Sequence, residues 1–226
     1  MSEEIKKTVL NTLAEPIANS AKNITDKPTQ NIGTTFADIW YLVFGGISQA
    51  AEKRKLKYSY ALQEFEKELK EKISKIPEDK LVEPNIQIIA KALENAKYCV
   101  EEEELRHMFS TLISSAMTMD LFVSPIMIDI VSSLSPINAK ILNYLYVNRF
   151  SQLKFKEIKK YLGASYDGTI FYSSLIELEY LNLICTPSKT FGKTRAAYKN
   201  IQGSSTPIES VNLSPLGIKF CEICIK

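Results

Sequence analysis

Two residue pairs in this chain have the spacing of known chemistry, and each stops short of a complete site. Glu104-Leu-Arg-His107 sets a carboxylate and an imidazole on one helix face, the Glu-x-x-His spacing of helical di-iron centres. Such a centre needs the motif on two helices, and His107 is the only histidine in the sequence. His107 also lies off the apolar stripe of its helix, which predicts a solvated surface position. Cys221-x-x-Cys224 has the spacing of half a zinc site, but no second pair exists to give four ligands. A redox pair would need an exposed thiol in electropositive surroundings. Between Phe220 and Ile223 these cysteines are expected to be small core residues. With Cys99 and Cys185 they are too few and too scattered for a disulfide framework, so reduced thiols are expected.

The sequence contains no G-x-G-x-x-G, no P-loop and no G-x-S-x-G turn. The run GASYDG, Gly163 to Gly168, is expected to be a turn between helices. Carboxylates abound on helix faces, yet none stands alone in the apolar setting that raises a carboxyl pKa. The expectation is a protein that is not an enzyme, with no catalytic residue, no metal and no cofactor. One basic constellation remains. Lys189, Lys193, Arg195 and Lys199 accompany Phe191 and Tyr198 in a tract that could grip a phosphate backbone, which makes them the candidate nucleic-acid-binding residues.

The elements that would position these residues read as mostly helical. Ser2 to Ile24 suggests a helix with an acidic first turn and a kink at Pro16, followed by the loop DKPTQNIGTT. Phe36 to Ile47, FADIWYLVFGGI, is the most apolar run and contains Asp38. It is far shorter than the roughly 20 residues a bilayer span needs. A buried core helix is expected there, with an interfacial membrane helix as the alternative. The next segment, AEKRKLKYSYALQEFEKELKEKISKI, is a long amphipathic helix with Leu62, Phe65, Leu69, Ile73 and Ile76 on its buried face. Glu66–Lys70 and Glu68–Lys72 are expected as i,i+4 pairs on the solvent side, and Pro77 ends the helix. Glu83-Pro84 opens another helix with Ile86, Ile89, Ala90 and Leu93 on one face.

The segment from Glu101 to Leu142 organises the rest. Leu105, Met108, Phe109, Leu112, Ile113 and Ala116 form one helical stripe, behind an acidic first turn at Glu101 to Glu104. Ser124-Pro125 and Ser135-Pro136 each read as an N-cap followed by proline at the first helical position, each cap worth roughly 1 kcal/mol.

The ordered string IPEDKLVEPNIQIIAKALENAKYCVEEEELRHMFSTLISSAM, then SPIMIDIVSSLSPINAKIL, resembles the Abi-alpha family. That is a bacterial family of unknown molecular activity, associated by name with abortive infection. The matching elements are Ile76-Pro77, Glu83-Pro84, Leu112 to Met117, Pro125, and Leu134 to Ala139. The usual Pro-Ser-Phe reads Pro125-Ile126-Met127, which keeps the helix start. The resemblance covers Lys27 to Leu145 and implies a role in phage defence, with no catalytic residues to carry over.

In the C-terminal third, Ala139 to Val147, Lys154 to Tyr161 and Tyr166 to Tyr180 read as helices, the last with Ile170, Leu175, Leu178 and Leu181 apolar. LNLICTPS and VNLSPLGIKFCEICI then flank a polar insertion that includes GSSTP, Gly203 to Pro207. Three helices, a β-hairpin and a last helix opened by Ser214-Pro215 resemble a winged-helix domain. Its third helix would enter the major groove. Between Lys160 and Lys189, however, there is no Lys or Arg, while Asp167, Glu177 and Glu179 are present. The wing, Ser188 to Lys199, is therefore the expected contact rather than that helix.

Composition sets the outer bounds. The 226 residues are 45% apolar and 24% charged, an ordinary globular balance. The net charge of +2 divides unevenly: residues 1–135 carry 16 Lys/Arg against 20 Asp/Glu, and residues 136–226 carry 12 against 6. That asymmetry places a boundary near Ser135, between a helical domain (1–134) and a winged-helix-like domain (135–226). The start, MSEEIKKTVLNTLAEP, has no apolar core of signal-peptide length, and a cytoplasmic location is expected. The expected fold is mainly α, an N-terminal helical bundle plus a small winged-helix-like domain of three helices and a β-hairpin. The expected function is that of a non-enzymatic antiphage protein acting through contacts with a protein partner. A nucleic-acid-binding winged helix using 188–199 and a membrane-associated effector using 36–47 are the alternatives, and a homo-oligomer is compatible with each.

Overall fold

Where apolar residues recur three and four apart the chain is helical, and the fold is mainly α as expected. The structure, a computed structural model, describes residues 39–44, 52–83, 85–151, 153–163, 167–185 and 210–226, with the side chains of 52–56 excepted. The expected Ser2–Ile24 helix, both ends of the 36–47 run, the GSSTP tract and the whole wing lie outside these residues. The helices are α1 (Glu52–Ser74), α2 (Ile86–Ala96), α3 (Glu103–Ala116), α4 (Pro125–Ser133), α5 (Pro136–Val147), α6 (Phe155–Leu162), α7 (Gly168–Tyr180) and α8 (Pro215–Cys224). Strands β1 (Ile184–Cys185) and β2 (Asn212–Leu213) pair antiparallel between α7 and α8. The residues fall into two compact units: the chain up to Ser133 together with Ile223–Lys226, and Leu134–Glu222.

In the first unit α3 touches α1, α2 and α4. The expected stripe from Leu105 to Ile113 is buried, but Ser110, Thr111, Ser114 and Ser115 are buried as well. The single apolar face therefore understates the burial of a helix wrapped on three sides. The short hydroxyl side chains between its large residues let neighbouring helices approach, and their oxygens return to carbonyls: Ser114 Oγ donates to Thr111 O and Ser115 Oγ to Ile223 O, both at 2.8 Å. On α1 four of the expected residues, Leu62, Phe65, Leu69 and Ile73, are buried, and so is Ile76, which lies just past the end of the helix at Ser74. On α2 the buried stripe is Ile88, Ile89, Ala92, Leu93 and Ala96, whereas Ile86 is half exposed. The start of α2 is set instead by Asn85, whose side chain accepts from Gln87 N–H at 2.9 Å. Residues 39–44 are helical, and Trp40 stacks on Phe65 with ring centroids 5.8 Å apart while Phe44 packs beside both. Trp40 and Phe44 are buried, as a core helix requires.

In the second unit α5 packs against α6 and α7, and β2 runs beside α5. Ser135 caps α5 by accepting from Asn138 N–H at 3.3 Å, with Pro136 in the first turn, as expected. Residue pairs Ile184–Leu213 and Cys185–Asn212 set the hairpin register, and Leu153 adds a single bridge to Val211. After α7 the chain turns sharply at Asn182, which adopts φ 55°, a conformation asparagine tolerates better than most residues.

Candidate functional site

Among the described residues the densest set of polar side chains lies where α1 meets α3. Glu68 and Lys72 are one turn apart on α1; Arg106, His107, Ser110 and Thr111 occupy facing turns of α3. The expectation that Glu68 and Lys72 pair with each other in solvent is not met. Glu68 accepts from Arg106 Nε at 2.9 Å and from Ser110 Oγ at 3.0 Å. The Lys72 ammonium donates to the His107 carbonyl at 3.0 Å, to Ser110 Oγ at 2.8 Å and to the Thr111 hydroxyl. Arg106 completes its own set by donating to Val100 O at 3.2 Å. Both α1 residues border the Phe65–Leu69–Ile73 stripe, so packing that stripe on α3 carries them into the interface.

His107 is half exposed, so the expected solvated position is correct for one edge of the ring only. Its Nδ1 stands 3.2 Å from Lys72 Nζ and 3.5 Å from Glu68 Oε2. Unprotonated, that nitrogen accepts from the ammonium; protonated, it faces the carboxylate as a donor. Burial acts to raise the Glu68 carboxyl but is outweighed by hydrogen bonds from His107, Arg106 and Ser110 and by the Arg106 charge, which hold it down at about 2. Burial pulls Lys72 down to about 8, against the attraction of the Glu68 charge.

A serine hydroxyl beside an amine of lowered pKa has the parts of an activated nucleophile. Ser110 is 0% exposed, however, and its oxygen is enclosed by the two helices. The arrangement binds α1 to α3, and its polar atoms satisfy one another. A stability signature follows. Glu68 is charged in the folded state well below its ordinary 4.5, so its contribution is complete above that value and is lost as pH falls toward about 2. Unfolding free energy should drop by roughly 2 to 3 kcal/mol over that window. Lys72 has the opposite consequence: its charged form is penalised by folding, so stability should rise between about 8 and 10.5. Urea titrations across both windows check this, with Glu68→Gln flattening the acid limb and Lys72→Met the alkaline one.

The cysteine pair behaves as expected from its neighbours. Cys221 and Cys224 are fully buried, and burial pushes the Cys221 thiol up to about 12. Glu104 and His107 share α3 as expected, and among the described residues no group of three or more His, Cys, Asp or Glu is placed to hold a metal ion. Among the same residues no helix is long and apolar enough to cross a membrane. Lys189, Lys193, Arg195 and Lys199 lie outside the described residues.

The family model for abortive infection alpha matches residues 57–224. The chain belongs to that family. The match takes in α1 from residue 57 onward, α3 and the interface between them, and it extends past Leu145, where the sequence resemblance stops, through α5 to α8. The C-terminal helices and the hairpin are thus part of the abortive infection alpha pattern. No curated protein and no solved structure matches the chain.

Proposed function

We propose that this member of the abortive infection alpha family acts in antiphage defence as a non-enzymatic cytoplasmic protein, through contact with another protein. The family match over residues 57–224 carries the reading. Protein contact is favoured over catalysis by the enclosure of Ser110 and by the large apolar side chains left outside the core. Met119, Phe122 and Ile126, on the connection from α3 into α4, are 62%, 77% and 57% exposed. Plaque assays on a host with and without the protein test the defence role: fewer plaques, with early loss of infected cells, are expected. Unchanged titres across a broad phage panel would count against it.

A second reading is supported by the order of elements in the second unit, three helices, a two-stranded hairpin and a helix, with the Leu153–Val211 bridge beside it. On this reading the unit is a winged helix that holds nucleic-acid phosphates through Lys189, Lys193, Arg195 and Lys199. On α7 the carboxylate of Glu177 accepts from Asn138 Nδ2 at 2.8 Å, so that helix carries structural acid rather than a basic reading face.

A further inference from the structure

In the second unit, a run of positive charge and two exposed aromatic rings fall within α6 and the turn leading into it. Residues 144–162 contain Arg149, Lys154, Lys156, Lys159 and Lys160 against the single acid Glu157. Glu157 is committed to the helix start, where its Oε2 accepts from Lys154 N–H at 2.8 Å. All four lysines are exposed, and none forms an ion pair among the described residues. In the first unit Lys57 pairs with Glu101, Lys80 with Asp120 and Lys91 with Asp129, whereas Lys67 and Lys75 are exposed and form no ion pair among the described residues. Mutual repulsion among unpaired ammonium groups on an eight-residue helix is a standing cost, relieved by an anionic partner.

The aromatic groups narrow the choice of anion. Tyr161 stacks on Tyr144 with ring centroids 4.4 Å apart, and it is still 49% exposed. Phe150 is 90% exposed, with the Arg149 guanidinium 4.6 Å from its ring centre and 4.4 Å from that of Tyr146. Arg149 is itself anchored to Tyr146 O at 2.9 Å, so the Phe150 face is backed by a fixed cation. Four residues of chain reach at most about 14 Å, which keeps Phe150 within that distance of Lys154. Planar faces within chain reach of a basic track suit a single strand, whose bases stack while its phosphates meet lysine; a carboxylate-rich peptide would use the charge and leave the rings idle.

We propose that α6 and the 149–150 turn bind single-stranded nucleic acid, with Lys156, Lys159 and Lys160 on phosphates and Phe150 and Tyr161 under bases. The surface does not depend on the wing. The test is fluorescence anisotropy of the full chain with labelled oligo-dT and oligo-rU, at several salt concentrations. Three variants are compared: Lys156→Gln/Lys159→Gln/Lys160→Gln, Phe150→Ala, and Lys189→Ala/Lys193→Ala/Arg195→Ala. The triple glutamine variant is expected to bind at least about tenfold more weakly and to lower the salt slope by about 2. Phe150→Ala is expected to lose about tenfold on single strands and far less on duplex, and the 189/193/195 variant to retain most affinity. Circular dichroism confirms that each variant is folded. The proposal is overturned by absence of binding in low salt, by glutamine variants that bind like the parent, by loss confined to the 189/193/195 variant, or by equal affinity for polyglutamate.

Discussion

Replacing Glu68 by alanine is expected to destabilise the N-terminal unit by about 3 kcal/mol, far more than an exposed helix carboxylate would cost. Glu68 is the anion that faces Arg106 at 2.9 Å and that offsets the charge of half-buried Lys72. Without it two cations remain between α1 and α3, and Ser110 loses one acceptor while keeping His107 O at 2.9 Å. Truncating one partner of a desolvated pair leaves the other uncompensated, which costs more than the intact pair contributes. Lys72→Met should behave differently, changing stability by less than about 1 kcal/mol, because an apolar stem of similar length removes the desolvation penalty. The double variant should be more stable than the sum of the two single changes predicts, since removing the lysine relieves part of the unpaired charge. Chemical denaturation of the four proteins measures this. Additive effects would mean that Glu68 and Lys72 are uncoupled.

Gly217→Ala should be at least as damaging, at about 3 kcal/mol or more. A Cβ at this position would stand 1.9 Å from Leu183 O and 2.8 Å from Leu183 C. These are backbone atoms of the segment entering β1, and no rotamer change can withdraw them. The close approach is set by Ser214. Its N–H donates to Leu183 O at 3.0 Å, its hydroxyl donates to Asn182 O, and its Oγ accepts from Gly217 N–H at 2.8 Å. One serine therefore caps α8 and fixes its first turn against the end of α7, and only glycine leaves room for the carbonyl. Gly163→Ala is the comparison: its φ of +86° strains any side chain, but nothing lies within 4 Å of the added methyl, so a cost near 1 kcal/mol is expected. Thermal and urea unfolding of both variants, with limited proteolysis of the C-terminus, separates the two. Equal stabilities would show that the α8 contact is not rigid.

Local signals in the chain located most of the helices. The Ser135 cap and Pro136 start α5 as the Ser-Pro pair predicts, and the α1 stripe from Leu62 to Ile73 is buried residue for residue. Cys221 and Cys224 are core residues, for the reason their neighbours suggest. The readings that failed were those that needed a second element. Ile86 satisfies the helical period of its stripe but stays half exposed, and the serines and Thr111 of α3 are buried because three helices surround it rather than one. Glu68 and Lys72 fit an i,i+4 surface pair as well as they fit an interface, and nothing along α1 distinguishes the two.

The division has a physical origin. Capping, helical period and the spacing of prolines act over one or two turns, so the amino-acid order was sufficient to establish a mainly α chain, the capped start of α5 and the greater part of its core. The partners of the polar groups lie much further along the chain: Lys72 meets Ser110 across 38 positions and Ser214 meets Asn182 across 32. Which hydroxyl meets which charge, and why residue 217 has no side chain, were decided only when the helices packed, because those contacts depend on how two surfaces are brought together.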